Sequence, residues 1–425
     1  MSQGRLISSI ASLSSLLLLA ACGELVSLGG GDSPPGEGGG GADAATTTAT
    51  TGAGGQGGAD TTTGAGGGPD CSGGAPDQDV DGDGYTVGAG DCNDCDPKIN
   101  PGAVEVVTFL GDAPTDEDCS GQIDDVAADC DDNLALDDAD PLNGARAVDL
   151  CKLSAGPGDW GVVSAGYVLP DGSPPPPVST YDVGHGIVDG FGPNLAVRRG
   201  ARMLALSSGA ARRPGDPGYA SPQGYAKNYG SNHPQGFPKE SPACPGVITG
   251  SPYDGAALEV TVRVPTNAGG FAFDFDFMTY EFPAYICSTF NDLFVAMLSP
   301  IPPGQMDGNV SFDSQGNTVS VNSVFLEVCG CAGGPPCQAG GKTFTCGFGV
   351  SELLGTGFGV DTGQDTGATS WLTTSAPAVP GSEITIRWGV YDSGDGILDT
   401  TTLVDNWRWV VDANVPLKTG RPQEF

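Results

Sequence analysis

Phe271, Phe273, Phe275 and Phe277 occupy every second position of the run Phe-Ala-Phe-Asp-Phe-Asp-Phe. Side chains two residues apart share one face of an extended strand and diverge on a helix, so these four aromatics are buried together by a β-sheet. Leu258-Glu-Val-Thr-Val-Arg-Val264 repeats the alternation. Asp292 to Leu298, Asn309 to Phe312, Thr318 to Val321, Val324 to Val328, Glu383 to Tyr391 and Leu403 to Val411 also have strand composition. Asp307-Gly308, Gln315-Gly316-Asn317 and Pro380-Gly381 punctuate them as turns. No amphipathic helix of three turns can be read. The expected fold class is all-β: a β-sandwich of jelly-roll type over residues 156–412, with residues 413–425 as a C-terminal tail.

Upstream the composition changes. Met1 to Ala21 carries one positive charge, Arg5, an apolar run from Leu16 to Leu19, and then Leu19-Ala20-Ala21-Cys22. This is the pattern of a secretory signal ending in a lipobox, and the run is too short to span a bilayer. Residues 1–21 are therefore read as a lipoprotein signal peptide and Cys22 as the lipidated N-terminus, a membrane anchor. Gly23 offers no acidic retention signal, which points to an outer-membrane lipoprotein exposed at the cell surface. Residues 22–70 read as a flexible tether. From Gly36 to Gly68, 14 of 33 positions are glycine and nearly all the rest alanine or threonine, leaving little to bury.

Residues 71–155 read as an acidic, cysteine-rich module. Between Cys71 and Lys152, 21 acidic side chains face three basic ones, supplying 18 of the chain's 35 net negative charges. Nucleic acid is a poor partner for such a surface, because phosphate contacts need the opposite sign. Within the module, Asp79-x-Asp81-x-Asp83-Gly84-Tyr85 places carboxylates on alternate residues with a glycine at the sixth position, where a loop turns around a hard cation. Oxygen-only ligands select Ca2+. An EF-hand would carry Glu at the twelfth position; here it is Gly90, and the missing charge follows in Asp91, Asn93, Asp94 and Asp96. The expectation is a loop folded back on itself around one or two calcium ions. The competing reading is a solvated acidic loop. Zinc or copper would call for His or free Cys, and the module has no His, Met or Trp. Asp116, Asp118, Asp124 and Asp125 around Cys119, and the aspartates from Asp129 to Asp140, form either a second site or an extension of the acidic surface.

Apart from Cys22, twelve cysteines remain, in two sets of six: Cys71, Cys92, Cys95, Cys119, Cys130 and Cys151, then Cys244, Cys287, Cys329, Cys331, Cys337 and Cys346. In an exported protein these are expected as disulfides in two separately cross-linked regions, including the zinc-like group Cys329, Cys331, Cys337 and Cys346. Their pairing cannot be read from spacing.

Two resemblances extend these readings. Asp79-Val-Asp-Gly-Asp-Gly-Tyr85, Gly90-Asp-Cys-Asn-Asp-Cys-Asp-Pro97 and Asn100-Pro-Gly-Ala-Val-Glu105 resemble the MopE-type metal-binding repeat of bacterial surface proteins, itself similar to thrombospondin type 3 calcium repeats. Asn93 stands where Asp is common, Cys95 is additional, and the cysteine expected soon after Glu105 is absent. Met203-Leu-Ala-Leu-Ser-Ser-Gly209, Phe237 to Gly246, Tyr280 to Ser288 with Phe290-Asn-Asp292, Phe325 to Cys329, and Asp392 to Asp399 through Leu403-Val-Asp-Asn406 resemble the choice-of-anchor L domain of bacterial secreted proteins. That resemblance implies surface display and brings no established activity.

Asp392-x-x-Asp395-x-x-x-Asp399 is a second acidic loop, joining two of the expected strands. It reads either as an ordinary turn or as a further metal or ligand site, with Asn291 and Asp292 completing the shell. Arg198, Arg199, Arg202, Arg212 and Arg213 would dock the sandwich onto its own acidic module, bind acidic polysaccharide, or form separate surface ion pairs. The only histidines are His185 and His233, and no nucleophile elbow, HExxH or phosphate loop is present, so the chain is not expected to be an enzyme. The expected function is a lipid-anchored, calcium-binding surface protein whose sandwich acts in recognition or adhesion towards polysaccharide or another surface protein. The alternatives are a secreted glycan-acting hydrolase using carboxylates such as Glu281 or Glu327, and a purely structural envelope protein.

Overall fold

In the computed structural model, two antiparallel sheets hold nearly all of the long strands. The structure describes residues 75–107, 113–125, 128–331, 333–359 and 366–422, within a compact unit spanning residues 67–425. Cys22, the tether and Cys71 lie outside the described residues. The strands are β1 (Gly161–Val168), β2 (His185–Val188), β3 (Met203–Ser207), β4 (Pro252–Arg263), β5 (Gly270–Thr279), β6 (Leu293–Ser299), β7 (Val319–Ser320), β8 (Val328–Cys329), β9 (Cys337–Ala339), β10 (Lys342–Phe344), β11 (Gly367–Ala368), β12 (Leu372–Pro377), β13 (Glu383–Ser393), β14 (Thr400–Val410) and β15 (Lys418–Gly420). One sheet has the order β1-β4-β13-β6-β7; the other runs β15-β12-β5-β14-β3-β2, with β11 and β8 attached at the end of β5.

The phenylalanine alternation does what its period requires. Phe271, Phe273, Phe275 and Phe277 of β5 are fully buried and face the other sheet, where Trp388 of β13 meets Phe273 edge-on at 5.5 Å and Phe294 of β6 meets Phe275 at 4.7 Å. Val260 and Val262 of β4, Ile384 and Ile386 of β13, and Leu204 and Leu206 of β3 complete this core. The chain is thus all-β, two sheets packed across an aromatic centre.

The opposite face of β5 is buried as well. Met278 joins Phe191, Leu195, Leu353 and Phe358 in a second cluster. Asp274 and Asp276 are therefore caught under cover. Asp274 is relieved by Arg198 at 3.2 Å, Arg408 at 3.2 Å, the Asn406 amide at 2.9 Å and the Thr373 hydroxyl at 2.7 Å. This explains part of the arginine run. Arg199 ion-pairs with Asp129 and Asp149, and Arg213 with Asp189 and Asp216. Docking onto the chain's own acidic segment and local ion pairing both occur.

That acidic segment runs on into the sandwich. A six-residue helix, α1 (Pro141–Arg146), is capped by the Asp140 carboxylate on the Leu142 N–H, with proline at its first position. Ala145 within it and Val148 and Leu150 after it join the aromatic core, and the Val148 carbonyl accepts the Trp407 N–H at 3.0 Å. Asp131, also buried, accepts the backbone N–H groups of Ala201 and Arg202.

Among the described residues the disulfides are Cys92–Cys119 and Cys130–Cys151 in the acidic segment, and Cys244–Cys287, Cys329–Cys346 and Cys331–Cys337 in the sandwich; Cys95 is also bridged. Each pair stays within one of the two sets of six, and the zinc-like group is closed by bridges.

Three expectations are corrected. Asn309 to Phe312 is not a strand: only Asn309 and Phe312 make isolated bridges, to Met297 and Thr318. Val324 to Val328 is mostly turn, because the chain reverses at Ser320–Ser323 and only Val328 and Cys329 pair. The chain past residue 412 contributes an edge strand: β15 pairs with β12, and the Thr419 hydroxyl meets that of Thr374 at 2.8 Å.

Two buried acids give this fold a pH dependence. Burial pushes Asp405 up to about 8 and Asp149 up to about 6, against the lowering pull of N–H donors on Asp405 and of Arg199 on Asp149. The folded state thus holds protons that the unfolded chain releases near pH 4, so these groups cost stability as pH rises from about 4 to about 8. Asp405→Asn is expected to flatten that decline in urea-unfolding midpoints measured across the range; an unchanged slope would contradict the assignment.

Candidate functional site

The acidic loop begins with two turns that only glycine suits. Gly82 and Gly84 adopt φ of 84° and 99°, left-handed values with open space around them, so backbone conformation rather than crowding demands glycine. Around them Asp79 accepts the N–H groups of Gly82 at 2.7 Å and Gly84 at 3.0 Å, one on each carboxylate oxygen. Asp81 Oδ1 accepts from Asp83 N–H and Asp83 Oδ1 from Tyr85 N–H. Each of these two residues uses one oxygen to hold the turn and leaves the other, Oδ2, buried without a donor.

A 3-10 turn, Val87–Ala89, capped by the Thr86 side chain, then reverses the chain. The Gly88 N–H donates to the Pro76 carbonyl and the Asp91 N–H to the Thr86 carbonyl, returning Asp91 and Asp94 to the loop. Asp91 Oδ1 accepts the Asn93 N–H and Asp94 Oδ1 the Val80 N–H, both at 2.8 Å. Their Oδ2 atoms are buried and unpartnered, and both residues are only 3% exposed.

The result is two groups of three carboxylates, Asp79/Asp81/Asp83 and Asp81/Asp91/Asp94, each offering oxygens within 4.8 Å of one another and sharing Asp81. Two ligands of one calcium at ~2.4 Å can be no farther apart than about that distance. Asp81, Asp83 and Asp91 are pushed above the ordinary carboxylate range, chiefly by burial and then by one another. Among the described residues no lysine or arginine is ion-paired to the loop, so its negative charge has no protein counter-ion.

Other expected ligands stand apart. Asn93 is exposed and Asp96 caps the Lys98 N–H. Tyr85 sends its hydroxyl to the Gly158 carbonyl, tying the loop to the sandwich. Asn100, quoted above within the repeat but not among the expected ligands, is fully buried, accepts from Gly102 N–H and the Thr266 hydroxyl, and lies against the Asp83 carboxylate. A third group, Glu105/Asp118/Asp125, also falls within 4.8 Å, but both Glu105 oxygens are already taken by the N–H groups of Asp118 and Asp124.

In the second acidic loop Asp392 and Asp399 are fully buried, whereas Asp395 is exposed and accepts the Ile397 N–H. Asp395 therefore does not join them. Asn291 is buried with its Oδ1 unpartnered and lines a water-sized cavity with Thr249 and Thr318. Asp292 is buried with both oxygens occupied, by Ser393 N–H and the Thr400 hydroxyl. His185 is stacked on Tyr167 at 3.7 Å, and burial, reinforced by Arg212 and Lys227, drives its pKa down to about 3, leaving a neutral core imidazole.

No family model, curated protein or solved structure matches this chain.

Because Tyr85 ties the loop to the sandwich, Tyr85→Phe should speed proteolytic nicking in residues 75–107 several-fold. Equal nicking rates would remove that role.

Proposed function

We propose that this chain is a calcium-binding, lipid-anchored protein of the cell surface whose β-sandwich serves recognition or adhesion. The observation that carries the calcium reading is the set of buried, donorless oxygens on Asp81, Asp83, Asp91 and Asp94, gathered by a loop whose other oxygens are spent on holding its shape. Such oxygens are costly to bury unpaired, and a hard dication satisfies several at once. Oxygen-only donors favour calcium over zinc or copper, and the nearby cysteines are consumed as bridges. The resemblance of Asp79 to Glu105 to MopE-type repeats points the same way.

The anchor and surface location rest on Leu19-Ala20-Ala21-Cys22, and the strongly negative charge fits a polysaccharide or protein partner rather than nucleic acid. Among the described residues no helix is long and apolar enough to cross a membrane. For the hydrolase alternative the structure offers little: Glu327 is paired with Arg421 at 2.5 Å, and Glu281 is buried against the Asp292 N–H.

Asp81 contributes to both carboxylate groups. Asp81→Asn is expected to weaken calcium binding by tenfold or more in calorimetry, while Asp77→Asn, an exposed neighbour outside both groups, leaves it unchanged. Absence of calcium heats with the parent chain would end the proposal. Cys22→Ser should release the protein from the membrane fraction; persistence there with undiminished lipid labelling would refute the anchor.

A further inference from the structure

Six strand ends meet at one end of the sandwich. The pairings Ser393 with Pro252, Tyr391 with Leu293, Thr400 with Thr279 and Thr401 with Ser207 bring the starts of β4, β6 and β14 to the finishes of β13, β5 and β3. Here the chain passes from one sheet to the other through residues 394–399. Five acids converge on this closure: Asp254 in β4, Glu281 beyond β5, Asp292 before β6, Asp392 in β13 and Asp399 before β14. Each is at most 1% exposed. A single base, Lys227, lies with them, and its Nζ donates to the Ser207 carbonyl at 3.0 Å without an ion pair to any of the five.

Three of the acids are satisfied by the protein. Asp254 accepts the backbone N–H groups of Lys227 and Tyr229, Asp292 those already described, and Glu281 Oε2 the Asp292 N–H at 2.6 Å. Asp392 and Asp399 differ: both oxygens of both carboxylates are buried without a hydrogen-bond donor. Ser208 and the Asp292 carboxyl both lie against Asp392, but the Ser208 hydroxyl donates to the Thr400 carbonyl at 3.3 Å and both Asp292 oxygens already accept, from Ser393 N–H and the Thr400 hydroxyl. Asp399 is pressed so closely on Gly209 that any side chain at position 209 would collide with its carboxylate. Four donorless carboxylate oxygens in a dry interior are far costlier than a surface acidic cluster, which water would satisfy.

We propose that Asp392 and Asp399 ligate a second metal ion, calcium, that fastens the end of β13 in one sheet to the start of β14 in the other. The dication balances the two carboxylates, which Lys227 attracts only from a distance and no N–H group serves, and it would find carboxylate, hydroxyl and carbonyl oxygens around it. The site is independent of the Asp79–Asp94 loop and shares no residue with it. Where the loop converges three carboxylates at a time, this closure supplies two complete ones.

The test uses the mature, disulfide-intact chain, stripped with chelator, re-equilibrated with calcium chloride and assayed for bound calcium and melting temperature. Asp392→Asn/Asp399→Asn is expected to hold one ion per chain fewer than the parent and to lose part of the calcium-dependent rise in melting temperature. Asp81→Asn should lower the loop's occupancy and leave this ion in place, so failure at either site is seen separately. If the double variant does not fold, parent crystals soaked in terbium should give an anomalous peak about 2.4 Å from oxygens of both Asp392 and Asp399. An unchanged calcium count in the folded double variant, or no peak between the two carboxylates, would overturn the proposal and leave protons as what neutralises them.

Discussion

The packing of Phe271, Phe273, Phe275 and Phe277 against Trp388 and Phe294 sets the position of everything else in the sandwich. Burying a phenylalanine is worth roughly 1.5–3 kcal/mol, so four in register fix β5 at the centre of its sheet and fix the register of β12 and β14 on either side. Because loops cover the far face too, the alternate residues of the same strand are also withdrawn from water. Asp274 and Asp276 are the direct consequence. The aromatic face that organises the core thereby obliges the rest of the chain to provide for buried carboxylates.

This chain provides for them in distinct ways. Asp274 receives two arginines and an amide. Asp254 receives a backbone N–H group on each oxygen and Asp131 receives two on one oxygen, which hold a strand start and cap a turn. Asp405 is held towards its protonated form by burial. Single oxygens of Asp131, Asp149, Asp276 and Glu352 are left over, but most of the unpartnered ones lie in two places, the Asp79–Asp94 loop and the closure at Asp392 and Asp399. A protein with 52 acidic and 17 basic side chains has few arginines and lysines to send to either. Dications are the economical counter-charge at such sites, because one ion serves several carboxylates.

Much of this was legible in the sequence, where period and turn chemistry act locally. The strict alternation in β4 and β5, the Asp-x-Asp-x-Asp-Gly spacing and the division of cysteines into two sets of six all express local or compartment-level constraints. β12 escaped notice because Leu372-Thr-Thr-Ser-Ala-Pro377 lacks an apolar alternation; its hydroxyls are buried by bonding to Asp274, Ser311 and the Pro416 carbonyl instead. The partners of the closure were equally hidden. Asp254, Lys227 and Ser208 are brought to Asp392 and Asp399 by long-range pairing that no spacing announces, while Asp395, their neighbour in sequence, is exposed. The loop's two-group arrangement depended on the reversal at Val87–Ala89, which carries Asp91 and Asp94 back across Asp81.

The central claim is that calcium, and not hydrogen bonding alone, holds the Asp79–Asp94 loop in its folded-back form. Amide hydrogen exchange of the intact, disulfide-bonded chain with calcium and with chelator tests it residue by residue. The expected result is slower exchange with calcium at Val80, Gly82, Gly84, Tyr85 and Asn93, whose N–H groups donate to the loop aspartates. Identical exchange in both conditions would show that the loop holds its shape without the ion, and would contradict the claim.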